Sequence, residues 1–130
     1  MPKQALFISN DTSITQLVPD LLAKIDIETT VVNSIQQADF TLYYRPVPDC
    51  IILDLSLTES QPLEYLRAIK AKEGYAQVPC LVLIETPNFE IIKSALQFGA
   101  NRYLTKAFLQ RNLLKTVMDI MPSPAAKQTS

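Results

Sequence analysis

The sequence predicts an α/β domain built on a parallel sheet. Five strand-length apolar runs alternate with segments of helical apolar spacing. Two of the runs, Cys50–Leu55 and Cys80–Ile84, are apolar at nearly every position, as in strands buried on both faces of a parallel sheet. The 130 residues are the length of one domain with one core.

The first run is Ala5–Ser9. After it, Ile14, Leu17, Val18, Leu21, Leu22 and Ile25 form a one-sided stripe. Ser13 and Gln16 fit a capping box at its start, and Pro19 is expected to kink the helix. The second run is Thr29–Asn33. Ser34 and Gln37 repeat the capping pattern before Ile35, Ala38 and Leu42. After the third run, Cys50–Leu55, Pro62 fits a first helical position and Leu63, Leu66 and Ile69 form the stripe. After the fourth, Cys80–Ile84, come Ile91, Ile92, Ala95 and Phe98, with Gly99 where a helix end favours positive φ. The fifth run, Arg102–Thr105, leads to Leu109, Leu113, Val117 and Ile120. Right-handed crossovers between parallel strands put the helices on both faces. The expected architecture is a flavodoxin-like (βα)5 doubly wound parallel sheet with strand order 2-1-3-4-5. It occupies residues 1–121; the aperiodic remainder, 122–130, is expected to be a disordered C-terminal tail.

Composition excludes several functions. Hydrophobic residues at 48% and charged residues at 19% exclude a disordered chain. A net charge of −1 gives no electrostatic reason to bind nucleic acid or anionic lipid. His is absent, which rules out His-based catalysis and His-ligated metal. Two Cys cannot build a disulfide framework, and two Gly cannot build a Gly-rich phosphate loop. No apolar run approaches membrane-spanning length and no signal-peptide pattern opens the chain, so a cytoplasmic location is expected.

In an open α/β sheet the ligand crevice lies beyond the carboxyl ends of the strands, where their order reverses. The order 2-1-3-4-5 puts that crevice between strands one and three. Strand one runs into Asn10 and Asp11, strand three ends at Asp54, strand four near Ile84, Glu85 and Thr86, and strand five at Thr105 and Lys106. Asp11, Asp54 and Lys106 are therefore expected to converge, with Glu85 nearby. Oxygen ligands without nitrogen or sulfur suit a hard ion such as Mg2+. A carboxylate beside such an ion can accept a phosphoryl group, and a Lys ammonium can hold its oxygens. The plainer alternative is a partly buried Asp54–Lys106 ion pair.

The segments Ile8–Asp11, Ile51–Leu55 and Gly99–Phe108, in this order and spacing, resemble the receiver domain of two-component response regulators, of the chemotaxis-receiver type. The resemblance spans about residues 4–121. It implies Mg2+ held by Asn10, Asp11, Asp54 and the Ser56 backbone. It makes Asp54 the acceptor of a phosphoryl group from a sensor histidine kinase or phosphotransfer protein, with Lys106 on that group. It makes Tyr103 the aromatic of the switch. Output would pass to a downstream protein, or into a homodimer, through the face of the fourth helix, fifth strand and fifth helix.

Four positions depart from the pattern. Asn10 stands in place of an acid. Ile84 falls where the family carries Ser or Thr, and Thr86 supplies a hydroxyl only if its loop shifts. Ala107 replaces a Pro after the Lys, so no cis peptide is required there. The loop Leu55–Pro62 lacks the usual Pro and Gly. Together they point to the alternative reading, a phosphorylation-independent pseudo-receiver that binds proteins.

Cys50 and Cys80 are expected to be free buried thiols. Tyr43 and Tyr44 are read as a half-exposed helix end. Phe89, Phe98, Tyr103 and Phe108 are read mostly as core, with Tyr103 and Phe108 as candidates for the edge of the surface that receivers use for dimerisation or output. Lys70, Lys72 and Glu73 are read as a solvated helix end.

Overall fold

The computed structural model describes residues 2–57 and 61–121. The expected tail at 122–130 and the middle of the loop after Asp54 lie outside the described residues. The strands are β1 (Lys3–Ile8), β2 (Ile27–Val32), β3 (Cys50–Asp54), β4 (Cys80–Ile84) and β5 (Arg102–Thr105). All pair in parallel, in the order β2-β1-β3-β4-β5. The expected topology is thus the observed one.

The two-residue period of the strands divides the core into two layers. Ala5 and Phe7 of β1 and Cys50 and Ile52 of β3 pack with Val18, Leu22, Leu113 and Val117 on one face. Leu6 and Ile8 of β1 and Ile51 and Leu53 of β3 pack with Leu42, Leu66, Ile69 and Ala95 on the other. A strand buried on both faces has no polar side to show, which is why β3 and β4 read as continuous apolar runs.

The helices are α1 (Leu17–Ala23), α2 (Ile35–Tyr44), α3 (Pro62–Ala71), α4 (Phe89–Gln97) and α5 (Leu109–Ile120), with a 3-10 turn over Lys106–Phe108. Helix α1 does not start after Ser13. The Ser13 N–H and hydroxyl both donate to Asp11 Oδ1, at 3.0 and 2.6 Å, and the chain turns there first. Pro19 consequently lies in the first helical turn, where a missing N–H costs no helical bond, so the expected cause of a kink is gone. The cap of α2 is the expected one: the Gln37 N–H donates to Ser34 Oγ at 3.1 Å. Asn88 caps α4 by accepting from the Ile91 N–H at 3.1 Å. Gly99 follows α4 at φ +115°, and a Cβ there would stand 2.6 Å from Lys70 Cγ.

Three secondary readings change or sharpen. Lys70 is not simply solvated: its ammonium donates to the carbonyls of Ala76 and Val78, fixing the turn before β4. Phe89, Phe108 and Tyr103 are exposed, not core. Tyr103 lies on the edge strand β5, where no further strand covers it, and Phe89 opens α4 on its outer side. Tyr43 and Tyr44 are on the surface, with the Tyr44 ring edge-to-face against Tyr43 and tilted against Phe40. Cys50 and Cys80 are free and buried, and they belong to opposite core layers. Burial pushes the Cys50 thiol up to about 12 and Cys80 to about 11, so both stay protonated.

Candidate functional site

The site lies at the carboxyl ends of β1, β3 and β5. Asp54, the last residue of β3, is fully buried. A buried carboxylate must be paired and hydrogen-bonded, and four donors meet it. Ser9 Oγ donates to Oδ2 at 2.6 Å, and Lys106 Nζ stands 2.8 Å from the same oxygen. The Ser56 N–H and hydroxyl donate to Oδ1 at 2.9 and 2.6 Å. An ionised carboxylate offers about four acceptor sites, so Asp54 is saturated.

Lys106 ties this carboxylate to the next. Its Nζ is 2.8 Å from Asp11 Oδ2, 2.8 Å from Ser56 Oγ and 3.1 Å from Glu85 Oε2. The Lys106 side chain is only 7% exposed. Burial by itself pushes the ammonium pKa down; the hydrogen bonds it donates to Asp11 and Asp54 outweigh that and hold the pKa above the ordinary range. The same Lys106 bond, with a second from the Ser13 hydroxyl, lowers Asp11 from 3.8 to about 2.

Local sequence explains how the acids are aimed. Asp11-Thr12-Ser13 and Asp54-Leu55-Ser56 share one pattern, and in both the serine N–H and hydroxyl return to the aspartate Oδ1. This is an Asx turn. It fixes each carboxylate so that Oδ2 is left to face Lys106.

The expected convergence of Asp11, Asp54 and Lys106 is therefore present, and Glu85 joins it. Ser56 enters through its hydroxyl as well as its backbone. Asn10 is exposed and stands beside the network, which closes through Asp11 instead. Thr86 makes none of the bonds to Asp54 or Lys106; it is exposed and lines, with Ser56, Ile84 and Glu85, a cavity of about 170 Å³. Ile84 is buried and pairs across the sheet with Thr105; Tyr103 pairs with Val82 and is 42% exposed. Ala107 follows Lys106 without a cis peptide. Ser9 escaped the sequence reading. A lone hydroxyl closing an apolar strand, and the repeated Asp-x-Ser, were the signals that mark it and Ser56.

Among the described residues no three Cys, His, Asp or Glu side chains form a ready metal cluster. The donors present nonetheless fit one divalent ion. Asp11 Oδ2 and Asp54 Oδ2 converge on a single cationic atom, and every nearby donor is oxygen, the set a hard ion takes.

The family model for the response regulator receiver domain matches residues 5–118. Among curated relatives, response regulator Rcp1 of Synechocystis is 28% identical over 127 residues, covering 92% of this chain and 86% of that protein. Transcriptional regulatory protein KdpE of Staphylococcus aureus is 31% identical over 108 residues, 83% of this chain but 45% of that longer protein. The chain thus spans less than half of KdpE. Among solved structures, the Mn2+-bound form of Rcp1 superimposes with a TM-score of 0.77 at 26% identity, covering 94% of this chain and all of that one. CheY4 of Vibrio cholerae matches in fold with a TM-score of 0.85 at 23% identity, over 93% of this chain and 100% of that one. Matched in sequence over almost its whole core and in strand order throughout, the chain belongs to the response regulator receiver domains of two-component signal transduction.

Proposed function

We propose that this receiver accepts a phosphoryl group on Asp54. The observation that carries the reading is the saturated, fully buried Asp54 carboxylate joined through one ammonium to Asp11. A structural ion pair needs neither the second acid nor two serine hydroxyls held by Asx turns. The donor is a phosphohistidine of a sensor histidine kinase or phosphotransfer protein. An Asp54 carboxylate oxygen attacks phosphorus, the P–N bond breaks, and its electron pair returns to the donor's imidazole.

Mg2+ would be held by Asp11, Asp54 and the Ser56 carbonyl, with Asn10 as a neutral oxygen ligand; bound there it offsets the charge of the incoming group. That the related Rcp1 has a Mn2+-bound form supports the reading that this chain binds a divalent ion. Lys106 then turns from the carboxylates to a phosphoryl oxygen. No described helix is long and apolar enough to cross a membrane, and the reading places the chain in the cytoplasm. Output goes to a partner protein, or to a second copy, through the face of α4, β5 and α5.

The test is acetyl phosphate with Mg2+ followed by intact mass. One phosphoryl group should add to the native chain and none to Asp54→Asn. Labelling that survives Asp54→Asn puts the acceptor elsewhere.

One observation favours a second reading. Ile84, buried at the end of β4, has no hydroxyl to follow a phosphoryl oxygen, and Thr86 points into solvent. A pseudo-receiver would keep the fold and dock proteins without modification. A chain that takes no phosphoryl group yet binds its partner unchanged selects this reading.

A further inference from the structure

Glu85 was placed near the site by its position after β4, yet the phosphoacceptor reading gives it no task. In the structure its Oε2 stands 3.1 Å from Lys106 Nζ. Asp11 and Asp54 hold the same ammonium, each at 2.8 Å. The three acids differ in one respect. Asp54 is fully buried and Asp11 one-quarter exposed, whereas Glu85 is 64% exposed and carries no other described bond. It is the arm that can come and go.

Two physical consequences follow from one ammonium serving three carboxylates. A cation settling between Asp11 Oδ2 and Asp54 Oδ2 takes the place Nζ now fills, so Lys106 must shift, and Glu85 is the carboxylate outside that pair. An oxyanion on Asp54, by contrast, needs the Lys106 charge that Glu85 already engages, and meets a like charge beside it. Glu85 also returns to the site the negative charge that Asn10 lacks.

We infer that Glu85 is an internal counter-anion for Lys106: it anchors the ammonium when a divalent cation takes its place between Asp11 and Asp54, and it competes with a phosphoryl group on Asp54 for that ammonium. Glu85 is thus a positioning residue that sets the balance between metal binding and phosphoryl retention. The inference rests on the reading of Asp54 as a phosphoacceptor and gives that site a built-in brake.

The test uses the full chain and its Glu85→Gln and Glu85→Ala variants, followed by amide NMR in two titrations. Mg2+ alone should bind about two- to fivefold more weakly to both variants. Beryllofluoride at saturating Mg2+ should bind about two- to fivefold more tightly, the worth of a largely exposed ion pair. A merely structural role for Glu85 would move both affinities together. Shifts of the same sign, or beryllofluoride affinity equal to that of the native chain, overturn the inference and leave the phosphoacceptor reading standing. Beryllofluoride binding to none of the three proteins overturns both.

Discussion

Two corners of the sheet's carboxyl edge stand side by side and differ in chemistry. At the β1–β3 corner, Ser9, Asp11, Asp54, Ser56 and Lys106 form one closed polar network. Each serine hydroxyl donates to Asp54 and accepts in turn, Ser9 from the Asp11 N–H and Ser56 from Lys106. At the β4–β5 corner, Ile84 is buried, Thr86 is exposed and Tyr103 on the edge strand is exposed too. Lys106, which follows β5, reaches into the first corner, and Glu85 after β4 meets it there. A closed polar network inside a protein is rigid because every member orients the next. The Ile84 side chain at the end of β4 gives a bound oxyanion no hydroxyl to pull on. The difference separates binding from relay: the chemistry is organised in one corner, and the hydroxyl that would transmit it is missing from the other.

Removing a member of the polar corner should cost far more than removing one of the relay corner. Lys106→Ala leaves Asp54 buried without its cation, and should lose about 3 kcal/mol of stability in urea unfolding at neutral pH. Tyr103→Ala, on the exposed edge, should stay within about 0.5 kcal/mol. Equal losses would erase the contrast.

Ser9→Ala comes next. It deletes one donor to a buried charge and should cost about 1.5–2 kcal/mol. Asp54→Asn in the same background tests the assignment, because much of the Ser9 effect should vanish once the carboxylate is gone.

Acid sharpens the same corner. Asp11 falls to about 2 in the folded chain from its ordinary 3.8. A depressed carboxylate contributes stability that is full above its unfolded pKa and is lost as pH falls through the folded one. Unfolding free energy should therefore drop by roughly 1–2 kcal/mol between about pH 4 and pH 2, discounted for partial exposure. Asp11→Asn should remove that portion of the slope. Lys106 carries the opposite sign: its raised pKa contributes below the ordinary lysine range and is lost only in strong alkali.

The smallest expected effect is in the relay corner itself. A ligand moves a two-state element only through its differential interaction with the two states. A hydrogen bond to a charged group is worth about 1.5–3 kcal/mol, and Ile84 cannot make it. Tyr103 should keep its outward position with and without beryllofluoride, as read from aromatic NMR signals. Ile84→Thr should make that signal respond. An inward turn of Tyr103 in the native chain would show that the relay runs without a β4 hydroxyl.

Much of the molecule was legible in one dimension. Parallel strands buried on both faces must be apolar throughout, so β3 and β4 announced themselves. The helical stripes and the Ser34 cap are local consequences of a 3.6-residue period and unpaired N–H groups. Asp11, Asp54 and Lys106 could be brought together because strand order alone fixes which carboxyl ends are neighbours. Three features were not legible, because a competing local partner, the cover over a side chain or a partner distant in the chain decided each. Ser13 fits a capping box, but the aspartate two residues earlier competes for its hydroxyl and wins. Phe89, Tyr103 and Phe108 have core chemistry, but burial is decided by the neighbouring element, and at the start of α4, on the edge strand β5 and in the turn before α5 none covers them. Ser9 carries no motif beyond a lone hydroxyl at the end of an apolar strand, whereas Glu85 was expected near the site from its position after β4. Ser9 enters the site because the register of β1 on β3 brings its hydroxyl 2.6 Å from Asp54 Oδ2, a meeting set by distances in space that no spacing along the chain encodes.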